Sequence, residues 1–245
     1  MFHLASANPP QHTRLIASFD AEWTKNYRIR NGNQPFCYSM VYVAIPKRGT
    51  RLRPEDLRFW FRAAYVAPDT PTQKLIDAAD AEFGDALQRA EILAGHQLSS
   101  DLSVLRNASC KHLSNIMAAY AAWSARRTTD TPAVIDTRYD IDGLVDCTSR
   151  RLVDVCTALN LQVYQPELAG SMTHMQQEYL ISGAQDIRER LAVLNLRHSL
   201  TAAIVALRRL GYYQWRKPVN VNPALRDNLS GFYDYVGSAA FMALC

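Results

Sequence analysis

Residues 15–22 read LIASFDAE, an apolar run that ends in two carboxylates one residue apart. Residues 15–19 are short and apolar, which is typical of a buried strand. Because side chains alternate along a strand, Asp20 and Glu22 are expected on the same face. Two like charges packed so closely repel each other, and a hard divalent cation such as Mg²⁺ or Mn²⁺ would remove that repulsion. The stretch therefore indicates half of a metal site, although an exposed strand end tolerates the same pair without a metal.

The composition is that of an ordinary globular chain. It has 245 residues, 48% hydrophobic and 20% charged, with a net charge of +4, which permits a polyanionic partner without requiring one. The five cysteines are scattered and form no CxxC pair, so we expect reduced thiols and a cytoplasmic location rather than a disulfide framework or a zinc knuckle. No apolar stretch approaches a membrane span, and residues 1–14 lack a secretory signal. We expect a loosely ordered lead there.

The order of predicted elements favours one mixed α/β domain over residues 15–211. A turn signal around Gly32 joins the first strand to a second, forming an antiparallel hairpin with a basic tip. Further strands are predicted at 58–61, 92–96 and 133–137, and the second spans 36–45. Helices are predicted at 73–90, 102–117, 150–161 and 186–210, the last as two helices that meet near Asn195. Residues 212–245 are expected to pack on the domain as a C-terminal extension.

Two further polar elements accompany the first. Residues 94–102 read AGHQLSSDL, a strand that stops, a polar turn, and Asp101 at the opening of a helix. Ser99, Ser100 or Asp101 can also be explained as helix caps. Residues 194–201 read LNLRHSLT, and His198 can be explained as an ordinary helical histidine.

Together the three elements resemble the DEDD superfamily of 3′-5′ exonucleases, whose fold is related to ribonuclease H. The resemblance covers roughly residues 15–210. Residues 19–23 (FDAEW) are similar to the first motif of that family. Residues 95–101 are similar to the second, with Gln97 at a usual Asn position and Ser100 at a usual aromatic one. His198 is similar to the histidine of the third motif, and Asp136 to a structural aspartate on the strand after the second. The resemblance implies an α/β fold with a ribonuclease H-like mixed central β-sheet flanked by helices.

One departure concerns the fourth carboxylate of the family, which follows the histidine by four or five residues. Those positions hold Ala202 and Ala203 here, and no acid lies between His198 and Arg226. An engineered Asp-to-Ala change, natural degeneration, or an acid of the preceding helix (Asp186 or Glu189) would each account for this. We expect the first or second explanation, with Ala202 slightly favoured as the replaced position and a chain that is nearly inactive.

The resemblance implies hydrolysis of nucleic acid from a 3′ end, releasing nucleoside 5′-monophosphates, with two divalent ions, Mg²⁺ or Mn²⁺. Asp20 would bridge both ions, Glu22 would hold the ion that carries the attacking water, and Asp101 would hold the other. His198 would take a proton from that water near neutral pH. The expected partner is a single-stranded DNA or RNA 3′ end, with no membrane involved.

Contacts to that strand are predicted beside the first motif. Trp23 could stack on a base or belong to the core, and the nearby cations that could reach phosphates are Lys25, Arg28 and Arg30. Arg126–Arg127 and Arg150–Arg151 are further candidates that could equally mark a solvated face. The alternative function is a non-catalytic nucleic-acid-binding module with a degenerate exonuclease fold. A structural or partner-binding domain with chance motifs is a third option.

Overall fold

The computed structural model describes residues 2–24, 32–128, 133–146, 149–163 and 171–245. Its centre is a six-stranded sheet in the order β1-β5-β3-β2-β6-β7. The strands are β1 (Phe2–Ala7), β2 (Leu15–Thr24), β3 (Gln34–Ala44), β5 (Phe59–Val66), β6 (Ile92–Gly95) and β7 (Ala133–Asp136). Strands β2, β6 and β7 are parallel, whereas β1, β5, β3 and β2 pair antiparallel. The chain is therefore mixed α/β around a mixed sheet, as the order of elements predicted.

Helices cover both faces of this sheet. They are α1 (Thr72–Arg89), α2 (Leu98–Ala108), α3 (Ser114–Ala125), α4 (Leu152–Ala158), α5 (Met172–Ser182), α6 (Gln185–Arg209), α7 (Asn222–Leu229) and α8 (Ala239–Met242). Residues of α1, α2 and α3 share one hydrophobic cluster with alternate residues of β2, such as Ala17 and Phe19. Residues of α6 share the other cluster with Ile16, on the opposite face. Asp20 and Glu22 are an even number of residues from Ile16, so their side chains lie on the same face of β2 as Ile16. That face is the one that α6 covers.

The predicted loose lead at the N-terminus is wrong for residues 2–7. They form β1, which pairs antiparallel with β5 from Phe2–Val66 to Ala7–Phe61 and makes one edge of the sheet. The segment reads FHLASA, and its alanines and serine have low strand propensity. These residues form a strand because they pair with the backbone of β5. No pattern within residues 2–7 predicts that pairing.

Two helical predictions also differ from the structure. Residues 102–117 are divided between α2 and α3, with a break at 109–113. Residues 185–209 form one uninterrupted helix rather than two that meet near Asn195. Within the described residues α6 is the one helix long and apolar enough to cross a bilayer, but 89% of its most apolar window is buried in the protein. Because α6 is buried on almost every side, its sequence has no single apolar face. The sequence pattern therefore predicts two shorter helices instead of one.

Two short parallel strand pairs tie the C-terminal part to the domain. Strand β4 (Thr50–Arg51) pairs with β9 (Tyr213–Gln214), and β8 (Leu161–Gln162) pairs with β10 (Val219–Asn220). Trp215, Leu225 and Phe241 are buried in the same hydrophobic cluster as α6. Residues 212–245 thus pack against the rest of the described chain.

Candidate metal centre

The first acidic pair lies on the central strand of the sheet. Asp20 is opposite Ser39 and Glu22 is opposite Cys37 in the β2–β3 ladder, and the register shifts directly after Glu22. Their side chains are 14% and 19% exposed. A bulge at this point re-aims the strand, a feature often found next to functional sites. Both carboxylates are therefore held on one face of a buried strand while remaining reachable from solvent.

His198 joins this pair from the middle of α6. Its Nδ1 lies 3.2 Å from Oε1 of Glu22 and 3.5 Å from Oδ2 of Asp20. One ligand atom from each of the three residues lies within 4.8 Å of the others. The side chain is 26% exposed, and it projects from the continuous helix α6 rather than from the start of a second helix near Asn195.

The carboxylates and the imidazole change one another's pKa. Burial lowers the pKa of His198, but hydrogen bonds and charge attraction from Asp20 and Glu22 outweigh it and raise that pKa to about 10. Burial raises the pKa of Glu22, with His198 opposing and the charge of Asp20 adding to the rise. Without a metal, His198 is thus a cation at neutral pH and serves as counter-ion to the two acids. In that state it cannot accept a proton, which differs from the expected base near its ordinary pKa.

Asp101 lies in the first turn of α2 and is buried beside the pair. Burial, followed by the charges of Asp20 and Glu22, raises its pKa well above the ordinary value, while the backbone amide of Ala21 acts in the opposite direction. Its Oδ2 is buried without a hydrogen-bond partner among the described residues. The structure therefore brings Asp101 into the same electrostatic neighbourhood, although it is outside the group of three.

The turn before α2 determines where Asp101 lies. A Cβ at Gly95 would lie 3.0 Å from the carbonyl oxygen of Phe19, so a side chain there would crowd β2, whereas glycine leaves this close approach of β6 unstrained. Gln97 adopts a left-handed backbone with φ of 64°, and its N–H donates to Oδ1 of Asp136 over 2.9 Å. Such a conformation is unfavourable for a non-glycine residue and persists only where surrounding contacts hold it.

Asp136 supplies those contacts. In addition to Gln97, it accepts hydrogen bonds from the N–H of Arg138 and from Nε1 of Trp123, at 3.1 and 2.8 Å. It is fully buried and outside the group of three. These contacts fit the structural part expected for it.

Sequence reasoning missed Asn195. This buried side chain is one helical turn before His198, and its Nδ2 donates to Oδ2 of Asp20 over 2.6 Å. Its Oδ1 is buried without a hydrogen-bond partner among the described residues. The spacing of three residues from His198, which places both on one helix face, was the available signal.

The positions expected to lack the fourth acid are both buried in α6. Ala202, 1% exposed, follows His198 by four residues and shares its face, whereas Ala203 belongs to the hydrophobic core. The two acids weighed as substitutes are occupied elsewhere. Asp186 is 62% exposed and pairs with Arg190, and Glu189 accepts from Gln185 and from the N–H of Tyr235. Neither belongs to the group around Asp20.

The donor set fits a hard divalent cation. Carboxylate oxygens and an amide oxygen are ligands that Mg²⁺ and Mn²⁺ prefer, and the imidazole of His198 lies beside them. The two unpartnered buried oxygens, on Asp101 and Asn195, border the crowded carboxylates and would gain a partner from a cation. These observations support the fit, and they do not count the ions.

The predicted nucleic-acid contacts have mixed outcomes. Lys25, Arg28 and Arg30 lie outside the described residues. Trp23 is half-buried at the end of β2 and belongs to neither hydrophobic cluster. The other candidates pair with acids: Arg126 and Arg127 with Asp140, Arg150 with Asp142, and Arg151 with Asp154.

A comparison with protein-family models and with curated protein sequences finds no match to this chain.

Proposed function

We propose that this protein is a metal-dependent phosphodiesterase of the DEDD 3′-5′ exonuclease type, with a ribonuclease H-like sheet. The observation that carries the proposal is the meeting of Asp20, Glu22 and His198, from opposite ends of the chain, within 4.8 Å. Their order along the chain, and the position of Asp101 beside them, agree with what the motif resemblance implies. A chance set of motifs has no reason to converge in space.

Asp20 and Glu22 would hold one divalent ion with His198 beside it, and Asp101 would help to hold a second near Asp20. Such ions, when bound, supply a water nucleophile at neutral pH and stabilise the charge on attacking and leaving oxygens. The chain contributes the placement of the ligands. Asn195 fixes one oxygen of Asp20, and the turn held by Asp136 fixes α2 and with it Asp101.

His198 would act as a proton acceptor only after losing its own proton. Positive charge added beside it would offset the carboxylates that raise its pKa, and would leave the imidazole neutral at neutral pH. A neutral, partly exposed imidazole can then accept the proton of the attacking water. The oxygen of that water forms the new bond to phosphorus while the 3′ oxygen of the preceding nucleotide leaves, and a nucleoside 5′-monophosphate is released.

One observation favours a second candidate, a nucleic-acid-binding module without catalysis. In the metal-free protein the His198 cation already neutralises part of the charge of Asp20 and Glu22. The alanines at 202 and 203 leave that pairing undisturbed. Two acids that are already neutralised in part by His198 gain less stabilisation from a metal ion. This second candidate predicts that the protein binds a nucleic-acid strand without cleaving it.

The test is a nuclease assay on 5′-labelled single-stranded DNA and RNA with Mn²⁺ or Mg²⁺. We expect slow trimming from the 3′ end that disappears in Asp20→Asn and in Asp101→Asn. Asp186→Asn removes an exposed acid away from the site and is the matched control. Cleavage that survives Asp20→Asn would contradict the proposal.

Gain of activity separates the two candidates further. If degeneration at the fourth acid limits the rate, Ala202→Asp or Asn195→Asp should increase Mn²⁺-dependent cleavage, because a further carboxylate faces the cation site. Ala203→Asp should instead destabilise the core, in which Ala203 is fully buried. Binding without cleavage in the unaltered chain and in both of the first two variants would favour the non-catalytic module.

A further inference from the structure

A second feature of the molecule lies away from the candidate metal centre. It is a groove of about 1030 Å³ between the β4–β9 pair, residues 215–220 and the start of α7. Arg208 lines it and is ten residues after His198 on α6, about 15 Å along that helix at 1.5 Å per residue. The groove is therefore separate from the acidic pair.

The walls of this groove are strongly basic. Six cationic side chains line it: Arg51, Arg53, Arg208, Arg216, Lys217 and Arg226. Only two acids accompany them, Glu55 and Asp227. Six cations against two acids leave four positive charges in one groove, which equals the net charge of +4 of the whole chain. The groove therefore carries as large an excess of positive charge as the whole chain.

Most of those cations are available. Among the described residues, no ion pair or side-chain hydrogen bond engages four of them: Arg51, Arg53, Arg216 and Lys217. All four are exposed. Arg226 pairs with Asp227 at 2.8 Å. The cations elsewhere that were candidates for phosphate contacts, such as Arg126 and Arg151, are by contrast paired with acids.

The backbone around the groove is held by internal contacts, and the groove is partly apolar. Arg208 donates to the carbonyl oxygen of Trp215 over 3.0 Å and stacks on its ring at 4.5 Å. Trp215 is itself anchored by a hydrogen bond to the carbonyl of Leu159. Three prolines line the walls: Pro54, Pro218 and Pro223. Fixed backbone lowers the entropy lost when a ligand is bound.

We infer that this groove binds the backbone of single-stranded nucleic acid. Five of its six cations are arginines, whose planar guanidinium pairs with phosphate in two parallel hydrogen bonds. Its volume is at the upper end of the range of about 300–1,000 Å³ for ligand pockets, which leaves room for more than one small anion. Apolar surface between the cations gives riboses and bases a place to lie. Binding here does not require cleavage at the metal centre.

The experiment is fluorescence anisotropy with a labelled single-stranded oligo(dT) in EDTA, over a range of salt concentrations. We expect Arg216→Ala with Lys217→Ala to weaken binding about tenfold at low salt, and to reduce the salt slope by about 0.7 for each phosphate that is no longer neutralised. Arg51→Ala with Arg53→Ala, on the β4 side of the groove, should do the same. The matched control is Lys74→Ala with Arg106→Ala, one exposed lysine and one exposed arginine on other helices, which should bind as the unaltered chain does.

Any of three results would overturn the inference. The first is unchanged affinity in both groove variants, and the second is an equal loss in the control. The third is competition by poly-glutamate as strong as that by unlabelled oligo(dT) at the same charge concentration, which would assign the groove to acidic peptides. Because EDTA prevents metal-dependent cleavage, Asp20→Asn should not alter this binding, so failure here and failure of the exonuclease proposal are separate outcomes.

Discussion

Nδ2 of Asn195 donates a hydrogen bond to Oδ2 of Asp20 over 2.6 Å, and the same oxygen lies 3.5 Å from Nδ1 of His198. An amide and an imidazolium thus stabilise one carboxylate oxygen from one face of α6. This places Asn195 where a further carboxylate would reach the cation site. A carboxylate introduced at residue 195, as at residue 202, would therefore change the net charge of the candidate metal centre.

Replacing Asn195 with aspartate should make the protein depend more on metal. In EDTA we expect the free energy of unfolding to fall by about 1–3 kcal/mol, because a like charge is buried beside Asp20. Mn²⁺ should then raise the melting temperature more than in the unaltered chain. Thermal melting with and without Mn²⁺ measures both effects, and Asn107→Asp, an exposed position on α2, controls for the added charge. An Mn²⁺ shift no larger than that of the unaltered chain would contradict this expectation.

The metal-free protein should lose stability as the pH rises. His198 binds its proton more tightly in the folded state, with a pKa of about 10 against about 6.5 when unfolded. Its contribution is complete below the unfolded pKa and is lost as the pH rises through the folded one. We expect a loss of about 2 kcal/mol between about pH 7 and about pH 9 in urea unfolding with EDTA. His198→Gln should flatten this part of the profile, and an equal slope in that variant would refute the assignment.

Asp101 should be a residue that costs stability when ionised. Its pKa is raised by burial and by the neighbouring acids, so the folded protein holds this proton more tightly and loses stability as the pH rises through the raised pKa. Asp101→Asn removes the titration and should stabilise the metal-free protein by about 1–2 kcal/mol at alkaline pH. The gain should shrink toward acidic pH. Chemical denaturation at several pH values tests this, with Asp186→Asn as the exposed comparison; a gain of the same size in both variants would exclude a site-specific cause.

Asp136 should matter for stability and not for metal. Asp136→Ala removes the acceptor of the Gln97, Arg138 and Trp123 hydrogen bonds and should cost about 3 kcal/mol, at about 1 kcal/mol for each hydrogen bond lost. Asp136→Asn keeps a carbonyl acceptor and should cost less. Urea unfolding gives the cost, and thermal melting of Asp136→Asn should retain the Mn²⁺ shift. Loss of that shift with an intact fold would place Asp136 among the ligands.

Local patterns were sufficient for the central strands and for most of the acids. The alternation of β2 fixes Asp20 and Glu22 on one face before any packing is known. The polar turn after β6 predicts a helix that carries Asp101 near its start, although that helix begins three residues earlier, at Leu98. Strand β1 was not predictable, because its pairing is set by β5 some 60 positions along the chain. Helix α6 was misread for a related reason: it is buried on nearly all sides, so its apolar residues show no single face.

The sequence predicted which residues form the centre better than it predicted their protonation states. A histidine pKa near 6.5 is a property of the isolated side chain, whereas two carboxylates at 3.2 and 3.5 Å decide its charge here. Asn195 carries no motif and becomes significant only when α6 packs over β2. The basic groove joins arginines from residues 51–53 and 208–226, which no window along the sequence brings together.

The unbroken course of α6 has a consequence for heat inactivation. The helix that presents Asn195 and His198 is also the one that fills the core on that side of the sheet, with Leu196, Leu200 and Ile204 fully buried. The geometry of the candidate metal centre therefore has no melting temperature separate from that of the fold. Function and fold should disappear in one cooperative transition, and a partly unfolded form that still cleaves should not accumulate.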